Sequence, residues 1–157
     1  MNTTRRQVLK VSSGSVVMAL AASAGLLNAG SAAAQEWNKN AFEAKSLNDV
    51  VKALGGAAAV ESKDITFVNA PDIAENGAVV PIGVSSKIPK TESISILVEK
   101  NPNALSASFN IPDGTEPTVA TRVKMGQSSN VHALVKADGK YFYATKEIKV
   151  TLGGCGG

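Results

Sequence analysis

Val131-His132-Ala133-Leu134-Val135-Lys136-Ala137-Asp138-Gly139-Lys140-Tyr141-Phe142-Tyr143-Ala144 is the stretch whose reading decides the fold. Asp-Gly is a strong two-residue hairpin signal, because both positions of the matching turn take positive φ and both residue types accept it. The segment before it, Val131 to Ala137, reads as a strand. The segment after it runs as a strand from Lys140 to Leu152, with Phe142, Ala144, Ile148, Val150 and Leu152 on one face.

Working back towards the N-terminus, the same period of two recurs. Val119, Thr121, Val123 and Met125 alternate with Arg122 and Lys124, and Gly126 to Ser129 then turns the chain. Leu105, Ala107, Phe109 and Ile111 alternate with Ser106, Ser108 and Asn110 until Pro112-Asp113-Gly114 breaks the run. Ile94, Ile96 and Val98 face one way before Asn101-Pro102-Asn103. Ala78, Val80, Ile82 and Val84 share a face, with Pro81 marking an edge or bulge, and Ile65 and Phe67 form a short run ending before Pro71. Seven short strands with turn signals at about ten-residue spacing predict a mainly β protein, an antiparallel β-sandwich.

One stretch reads as helix. Leu47, Val50, Val51 and Leu54 recur at steps of three and four, predicting a short N-terminal helix over 42–54. Ser46 with Asp49 resembles a capping box, and Gly55-Gly56 supplies the stop. Trp37 and Phe42 are expected to brace it against the core.

Residues 1–34 read as a signal peptide. Thr4-Arg5-Arg6-Gln7-Val8-Leu9-Lys10 precedes an apolar run from Val16 to Leu27, and Ala32-Ala33-Ala34 offers a small-x-small cleavage site. The adjacent arginines look like the twin-arginine type, with Val8 where an aromatic is usual. The run is short for a bilayer span of ~20 residues, so export to the periplasm is expected rather than anchoring.

Removing that segment changes the charge argument. The chain carries +3, but Arg5, Arg6 and Lys10 lie in the signal, leaving 13 basic residues against 13 acidic. A neutral mature domain with no basic stripe has no nucleic-acid footprint. It is long enough to bury a core without a disulfide. No internal repeat is present, and residues 35–152 read as one domain.

The chain ends Gly153-Gly154-Cys155-Gly156-Gly157, and Cys155 is its sole cysteine. Glycine has no side chain and accepts almost any φ/ψ, so residues 153–157 describe a slender, mobile arm carrying one thiol. Extended from Leu152, it holds the thiol about 10 Å clear of the sheet. Nothing adjacent in sequence lowers the thiol pKa as a helix N-terminus, metal or cation would. The nearest base is Lys149, and the Gly157 carboxylate repels a thiolate by only about 0.6 kcal/mol at roughly 7 Å in water. The arm therefore suits a covalent carrier activated by the enzymes that receive it.

Other uses of the thiol are weaker. An odd exported cysteine can form an interchain disulfide, which makes a structural or interaction β-domain the alternative reading. Lipidation motifs do not match, one cysteine with one histidine is too few for a metal site, and a redox motif needs a second cysteine. Carriers that end in a Gly-Gly thiocarboxylate depend on adenylation in the cytoplasm, which fits poorly with export. His132, the single histidine, lacks a nearby acid or cysteine in sequence and is expected to be an ordinary strand residue. No catalytic residue, metal site or cofactor is expected. Tyr141 and Tyr143, on the face opposite Phe142, are expected to point outward as a partner interface.

The terminal pentapeptide, the twin-arginine leader, Ala74-Glu75-Asn76-Gly77-Ala78-Val79-Val80-Pro81, Glu99-Lys100-Asn101-Pro102 and Ala137-Asp138-Gly139-Lys140 together resemble the SoxY family of periplasmic thiosulfate oxidation. The resemblance implies an immunoglobulin-like sandwich in a heterodimer with a SoxZ-like subunit. It implies that a c-type haem enzyme links thiosulfate to Cys155, that a dimanganese hydrolase releases sulfate, and that a sulfane dehydrogenase acts on the sulfur that remains. Gly153, Gly154, Gly156 and Gly157 match the family's flexible arm. The covalent sulfur adduct on Cys155 is the only group the chain is expected to hold.

Overall fold

The computed structural model describes residues 38–151. Two helices, α1 (Lys39–Glu43) and α2 (Leu47–Ala53), precede nine strands. These are β1 (Ala59–Glu61), β2 (Ile65–Asn69), β3 (Ile73–Ala74), β4 (Val80–Ser86), β5 (Thr91–Val98), β6 (Leu105–Asn110), β7 (Thr118–Val123), β8 (Ser129–Ala137) and β9 (Lys140–Val150). The signal assignment, Trp37 and the terminal arm lie outside the described residues.

The hairpin forms as the sequence predicts. Asp138 and Gly139 both take positive φ, 49° and 71°, and Ala137 pairs with Lys140. From that turn β8 and β9 run in unbroken antiparallel register to Ser129 and Ile148. β5 adds to β8, and β6 to β5, so the larger sheet has the order β1-β9-β8-β5-β6. The smaller sheet has the order β2-β4-β7. The protein is thus a mainly β, immunoglobulin-like sandwich.

Between the sheets lies the main core, built from Ile82, Ile94, Ile96, Met125, Val131, Val135 and Ile148, all fully buried. The period-two faces read from the sequence supply it: Val80, Ile82 and Val84 from β4, and Ile94, Ile96 and Val98 from β5. Pro81 sits on β4 opposite Arg122 of β7, beyond Gly83, where the β2 pairing stops. At that point β4 has one neighbour only, as a residue without an N–H requires.

Four local expectations change in the structure. The helix over 42–54 is two helices, because Ala44 is extended and its carbonyl accepts from Ala104 N–H at 3.0 Å. Ser46 then caps α2, its hydroxyl accepting from Asp49 N–H, and Gly55 ends it at φ +87°. Leu105 does not share a face with Ala107, Phe109 and Ile111. A register shift places Ala107 opposite Ile96 but Leu105 opposite Leu97, so Ser106 is the extra residue of a bulge. Strands β1 and β3, of three and two residues, are too short to show a period, and both pair parallel to β9.

The fourth change concerns the outer face of the larger sheet. It is covered by α1 and α2, which bury Val50 and Val51 against Leu97, Leu105, Leu134 and Tyr141. β5 and β8 are therefore buried on both faces at their centres. Gly56 lets this layer close: a Cβ there would lie 2.5 Å from Tyr141 Cδ2 and 2.8 Å from Val51 Cγ1. Gly56→Ala is expected to destabilise the fold by about 1–3 kcal/mol, the usual cost of overpacking. A urea titration with an unchanged midpoint would contradict this.

Candidate functional site: the root of the C-terminal arm

The residues assigned to sulfur attachment and the arm, Gly153, Gly154, Cys155, Gly156 and Gly157, lie outside the described residues. The structure does describe the residues that lead into that segment. β9 keeps its β8 partner only as far as Ile148, so Lys149, Val150 and Thr151 run past the end of the main ladder.

Other segments hold them. β3 pairs Ile73 with Lys149 and Ala74 with Val150. Lys149 N–H donates to Asp72 O at 2.9 Å, and Thr151 N–H to Ala74 O at 3.1 Å. The Thr151 hydroxyl donates to Glu75 O at 3.3 Å. From the other side, the Ser128 hydroxyl accepts from Val150 N–H at 2.9 Å and donates to Val150 O at 3.4 Å.

The loops that supply these groups are tied to one another. Met125 N–H donates to Gly77 O at 2.7 Å, joining the β3–β4 loop to the β7–β8 loop. Asn101 reaches across from the β5–β6 loop: its Nδ2 donates to Lys124 O at 2.7 Å, and its Oδ1 accepts from Gly126 N–H at 3.4 Å. Asn76 Oδ1 accepts from Ala78 N–H, tightening its own loop. Ser128 and Thr151 escaped the sequence reading because a serine in a turn and a threonine at a strand end carry no pattern of their own.

Tyr141 corrects an expectation. It is 5% exposed, its ring lies under α2, and its hydroxyl donates to Leu54 O at 2.8 Å. Its outward face is real, but this chain's own helices occupy it, so Tyr141 is core and not a free partner surface. Burial raises its phenol pKa. Tyr143 is half-buried beside the same cluster, with its ring edge-on to His132 at 6.2 Å between centroids.

His132 sits in a polar group on that face. Its Nδ1 is 2.9 Å from Thr145 Oγ1, and its Nε2 is 3.7 Å from Glu99 Oε2, which also accepts from Asn130 Nδ2 at 2.9 Å. The sequence hid Glu99 because it lies 33 residues away and is brought alongside only by the β5–β8 pairing. Burial lowers the imidazole pKa below its ordinary 6.5, and Glu99 opposes that shift. The unfolded chain therefore binds the proton more readily. Stability from this residue is intact above about pH 6.5 and falls as pH drops towards the folded value. His132→Gln is expected to flatten this part of the acid-side decline in thermal denaturation midpoint between about pH 7 and pH 5. An unaltered pH profile in the variant would refute the assignment.

Among the described residues no group of three or more His, Cys, Asp or Glu could hold a metal ion, and no helix is long and apolar enough to cross a membrane. The fold and site define a β-sandwich whose last strand is held by neighbouring loops where it runs past the main ladder. The family model of the sulfur oxidation protein SoxY matches residues 50–155, and the chain belongs to that family. Among solved structures it is similar to the sulfur carrier protein SoxY from Chlorobium limicola f thiosulfatophilum. That likeness is at 38% identity and TM-score 0.61, over 68% of this chain and 97% of the other. A superoxide reductase (neelaredoxin) from Ignicoccus hospitalis also matches, at 21% identity and TM-score 0.48, over 55% of this chain and 79% of the other. No curated protein matches.

Proposed function

We propose that this chain is a periplasmic, non-catalytic carrier that holds thiosulfate-derived sulfur on Cys155 and presents it to the enzymes of thiosulfate oxidation. The observation that carries this reading is the family match, which runs through the sandwich and ends on Cys155 itself. The structural neighbour is named as a sulfur carrier, and 97% of its length is spanned.

The chemistry assigned to the thiol balances simply. Cys155–SH and thiosulfate join through a new S–S bond, giving Cys155–S–S–SO₃⁻, one proton and two electrons that a c-type haem enzyme accepts. Water then cleaves the bond to the sulfonate, releasing hydrogen sulfate and leaving Cys155–S–SH. A dimanganese hydrolase performs that step, and a sulfane dehydrogenase oxidises the remaining sulfur. The chain supplies the attachment atom and no acid, base or metal. Export by the twin-arginine route, which carries folded cargo, allows a leaderless SoxZ-like subunit to travel with it as a heterodimer. Nucleic acid and, after signal cleavage, the membrane have no part in this scheme.

The test is intact mass of the mature heterodimer after incubation with thiosulfate and the haem enzyme. A reducible sulfur adduct on Cys155 is expected; a disulfide-linked dimer as the sole product would replace this reading with the structural one. Valine at both Gly154 and Gly156 is expected to leave unfolding unchanged and to slow turnover by every receiving enzyme about tenfold or more, since a misplaced reacting group alone can cost that much. Unchanged turnover would remove the argument from a narrow entry path.

A further inference from the structure

Two of the stretches that carry the family resemblance, Ala74 to Pro81 and Glu99 to Pro102, have no part in the sulfur chemistry above. The fold brings both to the same place. We infer that residues 72–77, Asn101 and Ser128 form a socket that sets the pivot of the carrier arm at Thr151, an inference that rests on the carrier reading.

The need for a socket follows from the sheet. β8 stops pairing at Ile148, so the last three described residues would fray as strand ends do without other partners. Instead, each of the three amides has an acceptor: Lys149 on Asp72, Val150 on Ser128, and Thr151 on Ala74. The two-residue β3 pairs with Lys149 and Val150 and with nothing else among the described strands. The Gly77–Met125 bond closes the socket, and Asn101 stiffens the loop that presents Ser128. Ser128 and Thr151 are positioning residues, acting on the thiol through the root of the arm.

A fixed pivot has two consequences. With Thr151 held, the thiol is at most about 14 Å from the root, and only Leu152 on that path carries a side chain larger than hydrogen. If the root opens back through Lys149, the branched Val150 and Thr151 and the charged Lys149 join the arm. The path is then thicker as well as longer. Lengthening it from four residues to seven lowers the local concentration of the thiol at a docked enzyme by about twofold, from the −3/2 power of length. Entry of the thicker segment into a narrow site adds to that loss.

The test compares the mature heterodimer with its Ser128→Ala/Thr151→Val double variant, and with Ser128→Thr/Thr151→Ser, which keeps both hydroxyls. Amide hydrogen exchange at Val150 and Thr151 is expected to speed up about tenfold or more in the first variant, while exchange at Ala133 and Val135 stays at the wild-type rate. The KM of the sulfate-releasing hydrolase for the loaded carrier is expected to rise about twofold or more, with the loss on KM rather than kcat. The hydroxyl-retaining variant is expected to restore both.

Unprotected Val150 and Thr151 amides in the wild type, or lost protection with an unchanged KM, would overturn the socket. If the wild type forms no adduct on Cys155, the carrier reading falls and the socket's role with it. An adduct on the wild type, with variants that behave identically to it, removes the socket alone.

Discussion

Replacing Cys155 with serine is expected to abolish the thiosulfate-dependent adduct while leaving the sandwich intact. Serine is close in size to cysteine and differs from it in one atom, so the thermal midpoint is expected to stay at the wild-type value. The chemistry disappears because an alcohol oxygen cannot form the S–S bond on which every later step depends. The effect is total rather than graded, since this is the chain's sole sulfhydryl. Intact mass with and without reductant reads it directly. A variant that still supports sulfate release at the wild-type rate would end the carrier proposal.

The second large effect is structural. Tyr141→Ala is expected to cost about 3–5 kcal/mol, the range for emptying a large aromatic site in a core. The ring fills the space between Val51, Gly56 and Leu134 and seats α2 on the larger sheet. The hydroxyl adds its bond to Leu54 O, so Tyr141→Phe separates the two contributions and is expected to cost only about 1 kcal/mol. Against a total stability of about 5–15 kcal/mol, the alanine variant is expected to lose a large fraction of its unfolding free energy in a urea titration. A cost under about 1 kcal/mol would show that the helical layer does not depend on this ring, and would return Tyr141 to the partner surface its sequence position suggested.

That position shows how the sequence misled. Alternation along β9 does place Tyr141 and Tyr143 opposite Phe142, and the structure keeps them there. Alternation says which side of a strand a residue faces, and it is silent about what covers that side. Here α1 and α2 fold back over the sheet, so the expected surface is a second core. Leu105 is the converse case. Its face was assigned by counting in twos, and one extra residue at Ser106 inverted the count. A bulge of this kind leaves no local mark in the residues that make it.

The arm root was illegible for a related reason. Strand β3 has two residues, Ser128 sits in a turn, and Asn101 reads as turn chemistry on its own. Their significance comes from three loops, distant in sequence, meeting at one end of the sandwich.

What the sequence determined alone is what short-range physics governs. Period-two alternation placed seven strands and the main core, Asp138-Gly139 placed the hairpin, and Ser46 and Gly55 placed the ends of α2. The tertiary structure decided what depends on packing between distant segments: the break at Ala44, the helical cover over Tyr141, the Glu99–His132 neighbours, and the bracing of Lys149 to Thr151. A residue's own backbone and side-chain preferences are encoded where it stands. Which other chain segment shields it, or holds its amide, is settled only when the two sheets close and their loops meet.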